Sequence, residues 1–176
     1  MDNNDILRRI RYTLDFNDSK MIEVFELGNR KVNRSEISNW LKKEDDPNFQ
    51  SLNGEMLAVF LNGLIIEKRG KREGPEAIPE KELNNNLILK KLKIALSLRT
   101  DDIVYMFKVI DKEISEHELS AFFRNPKQGK YRECNDQYLR NFLNAMQKEF
   151  RDKVFFFFSS DYTIDSHSEN RFFFQF

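Results

Sequence analysis

The chain has 176 residues, 40% hydrophobic and 33% charged, too apolar for disorder and long enough for one ordinary domain or two small ones. Lysine plus arginine equals aspartate plus glutamate at 29 each, so the formal net charge is zero, and a protein that coats duplex through bulk charge is excluded. Cys134 is the single cysteine, which excludes an internal disulfide and fits a reducing compartment.

In chain order, "MDNNDILRRIRY" has no apolar signal-peptide core, and no run of roughly 18 uncharged apolar residues occurs anywhere. A cytoplasmic location without membrane contact is the expectation. A first helix is expected over about 4–15, with Ile6, Leu7, Ile10 and Leu14 on one stripe. A second follows Asp18, whose side chain suits an N-cap, and carries Met21, Ile22 and Phe25. A third opens at "NRSE" (33–36), where Asn33 and Glu36 form a capping box. A fourth starts near Asn53 and buries Leu57, Phe60, Leu61 and Leu64. Residues 69–84, "RGKREGPEAIPEKELN", read as a connector between a first unit (1–68) and a second (85–151).

The second unit repeats the first. Shifting by 82 aligns residues 3–68 with 85–150 without a gap and gives 14 identities over 66 pairs. Roughly four would be expected from average amino-acid usage. Asn3-Asn4 meets Asn85-Asn86, Phe25 meets Phe107, and Phe60-Leu61-Asn62 meets Phe142-Leu143-Asn144. The second copy therefore predicts the same four helices: about 86–97, one after Thr100, one opening on the capping box Ser115–Glu118, and one near Asn135. The fold class expected is all-α, two tandem four-helix repeats packed as one body. A unit of about 66 residues would be marginal alone, so the halves should pack on each other with pseudo-two-fold symmetry.

The stretches "NNDILRRIRYTLDF", "EISNWLKKEDD", "FLNGLIIEKRGKREG", "NNLILKKLKIAL" and "KYRECNDQYLRNFLNAM" resemble the YehS-like family of bacterial proteins, over about residues 1–151. The resemblance implies a small bacterial cytoplasmic protein built from a tandem domain of unknown function. It implies no activity, cofactor or catalytic residue. Residues 152–176 lie outside it and hold eight of the 17 phenylalanines. Two readings stand for them, a β-hairpin laid on the bundle or a foreign tail.

Catalytic and metal chemistry is sparse. His117 and His167 are far apart, and no CxxC, HExxH, EF-hand, Walker or GxGxxG spacing occurs, so no metal or cofactor is expected. Cys134 precedes a helix start, where a dipole could activate it; its counterpart is Leu52, which favours a small buried apolar role. Asp45-Asp46 and Asp101-Asp102 suit caps better than acid–base work, and the chain reads as a non-enzyme.

Basic clusters carry the functional expectation. Arg8, Arg9 and Arg11 align with Lys90, Lys91 and Lys93, while Lys68, Arg69, Lys71 and Arg72 close the first copy. Arg124, Lys130, Arg132 and Arg140 fall among Phe122, Phe123 and Tyr131, a mixture that strand-binding surfaces use. Residues 85–150 carry 12 basic and 9 acidic side chains, against 10 and 11 in 3–68. The partner expected is nucleic acid or another polyanion; an ordinary solvated helix face is the bland alternative. Helices two and three also give a weaker helix-turn-helix pattern, presenting Ser35, Asn39, Lys42 and Lys43. A protein-interaction adaptor or homodimer with an apolar groove between the halves is the rival. Asn62 and Asn144, polar positions inside apolar segments, are expected to cap a helix or bridge the halves, with a ligand contact as the alternative.

Overall fold

The computed structural model describes residues 1–75, 77–127 and 129–152. The regular structure among them is helical, in two sets of four. The first set is α1 (Asn3–Thr13), α2 (Asp18–Leu27), α3 (Arg34–Leu41) and α4 (Gly54–Arg69). The second is α5 (Asn85–Ala95), α6 (Thr100–Val109), α7 (Glu116–Phe122) and α8 (Asp136–Gln147), continued by one π-helical turn, Lys148–Asp152. The phenylalanine-rich C-terminal stretch, with its two readings as a β-hairpin or a foreign tail, falls on 153–176, outside the described residues, as does the second histidine, His167.

Local chemistry starts the third and fourth helices of each copy where the sequence asks. Asn53 accepts from the Met56 N–H at 2.8 Å and Asn135 from Tyr138 at 3.0 Å. The capping boxes at Asn33–Glu36 and Ser115–Glu118 both close. The second helix of each copy differs from expectation by one residue. Asn17, not Asp18, caps α2, and Arg99 rather than Thr100 precedes α6, with no capping side chain of its own. The Asp102 carboxylate compensates by accepting from the Arg99 N–H at 2.7 Å. At the other end of the first copy, α4 runs to Arg69, one residue into the expected connector, and stops at Gly70 with φ 79°.

Two buried amides hold corresponding loops. Asn4 donates to the carbonyls of Trp40 and Gln50, both at 2.8 Å, and accepts from the Leu52 N–H at 2.9 Å. Asn86 does the same with Phe122, Arg132 and Cys134, each at 2.9 Å. All six partners are related by the same shift of 82. Each amide meets three polar backbone groups that burial would otherwise leave without water.

The stripes pack into one continuous core. Phe25, Phe60, Phe122 and Phe142 are among its largest fully buried side chains. Phe25 meets Trp40 and Phe60 with ring centroids 5.3 and 5.2 Å apart. Across the junction, α5 of the second copy packs on α4 of the first, and α1 of the first packs on α8 of the second. The exchange is reciprocal, as pseudo-two-fold symmetry requires. Each first helix therefore ends against the other copy's fourth helix.

Candidate anion-binding site

Both first helices end the same way. Asp15 takes φ 54°, and the Phe16 N–H reaches back to the Arg11 carbonyl at 3.0 Å. In the second copy Ser97 takes φ 55°, and the Leu98 N–H reaches the Lys93 carbonyl, also at 3.0 Å. The left-handed residue ends the helix and tucks the next apolar side chain under its last turn. A cleft opens at each place, about 440 Å³ in the first copy and about 360 Å³ in the second.

The clefts are equivalent position by position. Arg8 answers to Lys90, Arg11 to Lys93, Tyr12 to Ile94, Asp15 to Ser97, Phe16 to Leu98 and Leu41 to Phe123. An arginine from the other copy closes each one. Arg151 bonds Asp15 at 3.0 Å, donates to the Tyr12 carbonyl and lies 3.9 Å over the Tyr12 ring. Arg69 donates to Ser97 Oγ at 2.5 Å. These two arginines also differ by 82 positions, and Arg72 joins Arg69 in the second cleft alone.

Electrostatics separates the pair. In the first cleft every lining cation has a carboxylate: Arg8 with Asp5 at 3.0 Å and Asp2 at 3.9 Å, Arg11 with Asp18 at 2.9 Å, and Arg151 with Asp15. The positions matching Asp2, Asp5, Asp15 and Asp18 are Asn84, Leu87, Ser97 and Thr100. All four acids are gone while the cations remain. The second cleft thus gathers Arg69, Arg72, Lys90 and Lys93, with no carboxylate among its described lining residues. Lys93 lies 4.6 Å over the Phe123 ring, a modest attraction that leaves its charge in place. The C-terminal ends of α4 and α5 contribute roughly half a negative charge each, which offsets about one cation of the four.

The remaining candidates divide into groups. Arg9 donates to Asn144 Oδ1 at 2.8 Å, while Lys91 donates to Asn62 Oδ1 at 2.6 Å and pairs with Glu80 at 3.0 Å. All four therefore serve contacts within the chain. Lys68 sits 5.7 Å over Phe16. Arg132 pairs with Glu118 at 2.6 Å, which holds that carboxyl below its ordinary range. Arg124 donates to the Lys130 carbonyl at 3.1 Å and follows Phe123 directly in the chain, so the basic loop adjoins the second cleft. Arg140 lies near the Asp136 carboxylate, whose pKa is lowered chiefly by the Met1 amine. Of the sequence candidates, the second cleft brings together Arg69, Lys90 and Lys93, and the first brings Arg8 and Arg11.

Burial pushes the Cys134 thiol up to about 12, so it is protonated and a poor nucleophile at neutral pH. No group of three His, Cys, Asp or Glu residues converges as a metal shell among the described residues. In the helix-turn-helix pattern, α3 has eight residues and turns Trp40 into the core. Arg72 belongs to the basic cluster that the sequence places at the end of the first copy, and the second cleft holds it too. Ser97 and Arg151 are not among the residues the sequence singles out; the pair Arg69 and Arg151 lies one position past the aligned stretch.

The description "Protein of unknown function (DUF1456)" matches twice, over residues 3–70 and 85–152. The chain belongs to this family. It is also 45% identical over 144 residues to "Uncharacterized protein YehS" of Escherichia coli (strain K12), covering 81% of this chain and 92% of the relative. No solved structure matches. The two family matches are offset by the same 82 residues that relate the clefts, so each DUF1456 copy supplies one cleft wall and the arginine that closes the other. No helix among the described residues of this family member is long and apolar enough to cross a membrane.

Proposed function

We propose that this protein is a non-enzymatic module that binds nucleic acid through its second copy. The observation that carries the reading is the convergence of Arg69, Arg72, Lys90 and Lys93 in a cleft whose described lining lacks any carboxylate. Four like charges held together repel one another, and an anion relieves that cost more effectively than water and salt do. Arg124 and Lys130 extend the basic surface along the adjoining loop. Phe123 in the cleft and Tyr131 in the loop offer aromatic faces next to these cations, the combination that suits an unpaired strand. The zero net charge agrees with local rather than global attraction. Arg8 and Arg11, neutralised by their own aspartates, have no part in it.

The test is titration of labelled single-stranded RNA and DNA at low and moderate salt. Contact with four or so phosphates predicts a slope of log affinity against log salt near roughly −3 for a single strand. Lys90→Ala should flatten that slope by about one. Binding that ignores salt, or no binding, would sink the reading. Stoichiometric capture of one protein partner that survives nuclease treatment would favour the adaptor instead.

A further inference from the structure

The paired clefts differ in a way that goes beyond a generally basic surface. Duplication handed both copies one constellation: a cation at position 8 or 90, a cation at 11 or 93, and a crossing arginine at 151 or 69. The first copy neutralises that constellation with four aspartates. The second copy has Asn84, Leu87, Ser97 and Thr100 in their places, and adds Arg72. A fold that needed only the buried geometry would gain nothing from leaving these cations uncompensated. The first cleft shows what the structural solution looks like, and the second departs from it at every acidic position.

We propose that the second cleft is a phosphomonoester site, taking the terminal phosphate of a nucleotide. Three features of the cleft fit that ligand, and the first favours it over an internal phosphodiester. A diester carries one negative charge, whereas a monoester carries about −1.5 to −2 at neutral pH and presents three acceptor oxygens. Three or four donors converging on one concave site match the compact, doubly charged group; an extended backbone would spread its charges along a groove. The Ser97 hydroxyl, already 2.5 Å from Arg69, stands where the first copy keeps the carboxylate of Asp15 that would repel such a ligand. Finally, Ile94, Leu98 and Phe123 form an apolar wall beside the cations, in a cleft of about 360 Å³. That volume falls in the usual range for small-ligand sites. It accommodates the phosphate and the nucleoside attached to it, with the Phe123 ring available to the sugar or base.

The same chemistry has two sources, a free nucleotide or the phosphorylated end of a strand. The strand-end form rests on the nucleic-acid reading above; the nucleotide form does not.

The experiment compares one labelled oligonucleotide bearing a 5′-phosphate, a 3′-phosphate or hydroxyls at both ends, together with adenosine 5′-monophosphate and inorganic phosphate alone, all on the full chain. Three variants accompany it. Ser97→Asp rebuilds the acid of the first cleft, where the same pairing with arginine already exists, so folding is expected to survive. Lys90→Ala removes a cation, and Arg8→Ala alters the self-neutralised cleft as a control. The expected result is at least tenfold tighter binding of one phosphorylated end over the hydroxyl form. Ser97→Asp and Lys90→Ala should abolish that preference, and Arg8→Ala should leave it unchanged. Equal, salt-dependent binding of phosphorylated and hydroxyl ends overturns this inference and leaves the nucleic-acid reading standing. Binding of adenosine 5′-monophosphate, lost in Ser97→Asp, with no affinity for any strand supports the site and overturns the nucleic-acid reading. No binding of phosphate, nucleotide or strand overturns both.

Discussion

Lys91 donates to Asn62 Oδ1 at 2.6 Å across the junction of the repeats, and the equivalent Arg9 donates to Asn144 Oδ1 at 2.8 Å in the opposite direction. The two contacts are one contact written twice by the duplication. They explain why Phe-Leu-Asn recurs: the aromatic and the leucine fill each core, and the amide meets the first helix of the other half. Burial makes the two unequal. Asn62 is 7% exposed, whereas Asn144 lies at the surface.

The first prediction follows from that inequality. Asn62→Ala leaves Lys91 in a half-closed setting with Glu80 as its remaining partner, and should cost about 1–3 kcal/mol. Asn144→Ala removes a contact that water can replace, and should cost under about 0.5 kcal/mol. Urea unfolding midpoints distinguish them, and equal losses would refute the argument.

Gly63 follows Asn62 and sets how closely α4 approaches α2. A Cβ there would lie 1.8 Å from the Val24 carbonyl oxygen and 2.9 Å from the Gly28 nitrogen, both backbone atoms that cannot rotate away. Gly63→Ala should therefore force the helices apart at about 2 kcal/mol or more, lowering Tm by roughly 4–8 °C in a chain of this size. The second copy has Ala145 at this position, fully buried. Its wider packing makes the reverse change, Ala145→Gly, a matter of helix propensity plus one lost methyl, about 1–2 kcal/mol. Thermal unfolding of both variants checks the contrast.

These contrasts show what the sequence could reveal. Helix stripes and the caps at Asn33, Asn53, Ser115 and Asn135 depend on neighbours within four residues, so they are legible from the chain alone. The start of α6 was not, because its cap comes from Asp102 inside the helix rather than from a residue before it. The second cleft joins the end of α4 to α5 and to Phe123 after α7, and only the docking of the halves makes those neighbours. The loss of Asp5, Asp15 and Asp18 reads in the alignment as scattered substitutions, and Asp2 lies one position before the aligned stretch; only the cleft gathers the four. Asn4 and Asn86 were likewise visible as identities. Their role needed the loops at 50–52 and 132–134 to be in place.

Cys134 gives a pH prediction. Its ordinary thiol pKa near 9 is raised to about 12 in the folded protein by burial, with Asp136 adding a smaller push. The folded state then holds its proton more tightly than the unfolded chain. The stability this contributes is complete below about pH 9 and is lost between there and pH 12, at no more than about 1.4 kcal/mol per pH unit. Subtracting the stability profile of Cys134→Ala from that of the parent chain should isolate the loss. The native thiol should also resist alkylation at pH 8 and react in urea.

Arg8 and Lys90 occupy the same position in the two copies, and removing them should have different consequences for stability. Arg8 donates to the Lys42 carbonyl at 2.8 Å and pairs with Asp5, so Arg8→Ala should cost about 1 kcal/mol after allowing for solvent screening at a side chain 27% exposed. Lys90 shares its cleft with Arg69, Arg72 and Lys93 and with no described carboxylate. Its removal relieves repulsion and places a better helix former in α5, so Lys90→Ala should be neutral or stabilising by up to about 0.5 kcal/mol. Low salt should widen the gap, because screening weakens the repulsion that Lys90 supplies. Denaturation of both variants at two salt concentrations measures this, and a Lys90→Ala variant as damaged as Arg8→Ala would mean that the second cleft is neutralised after all.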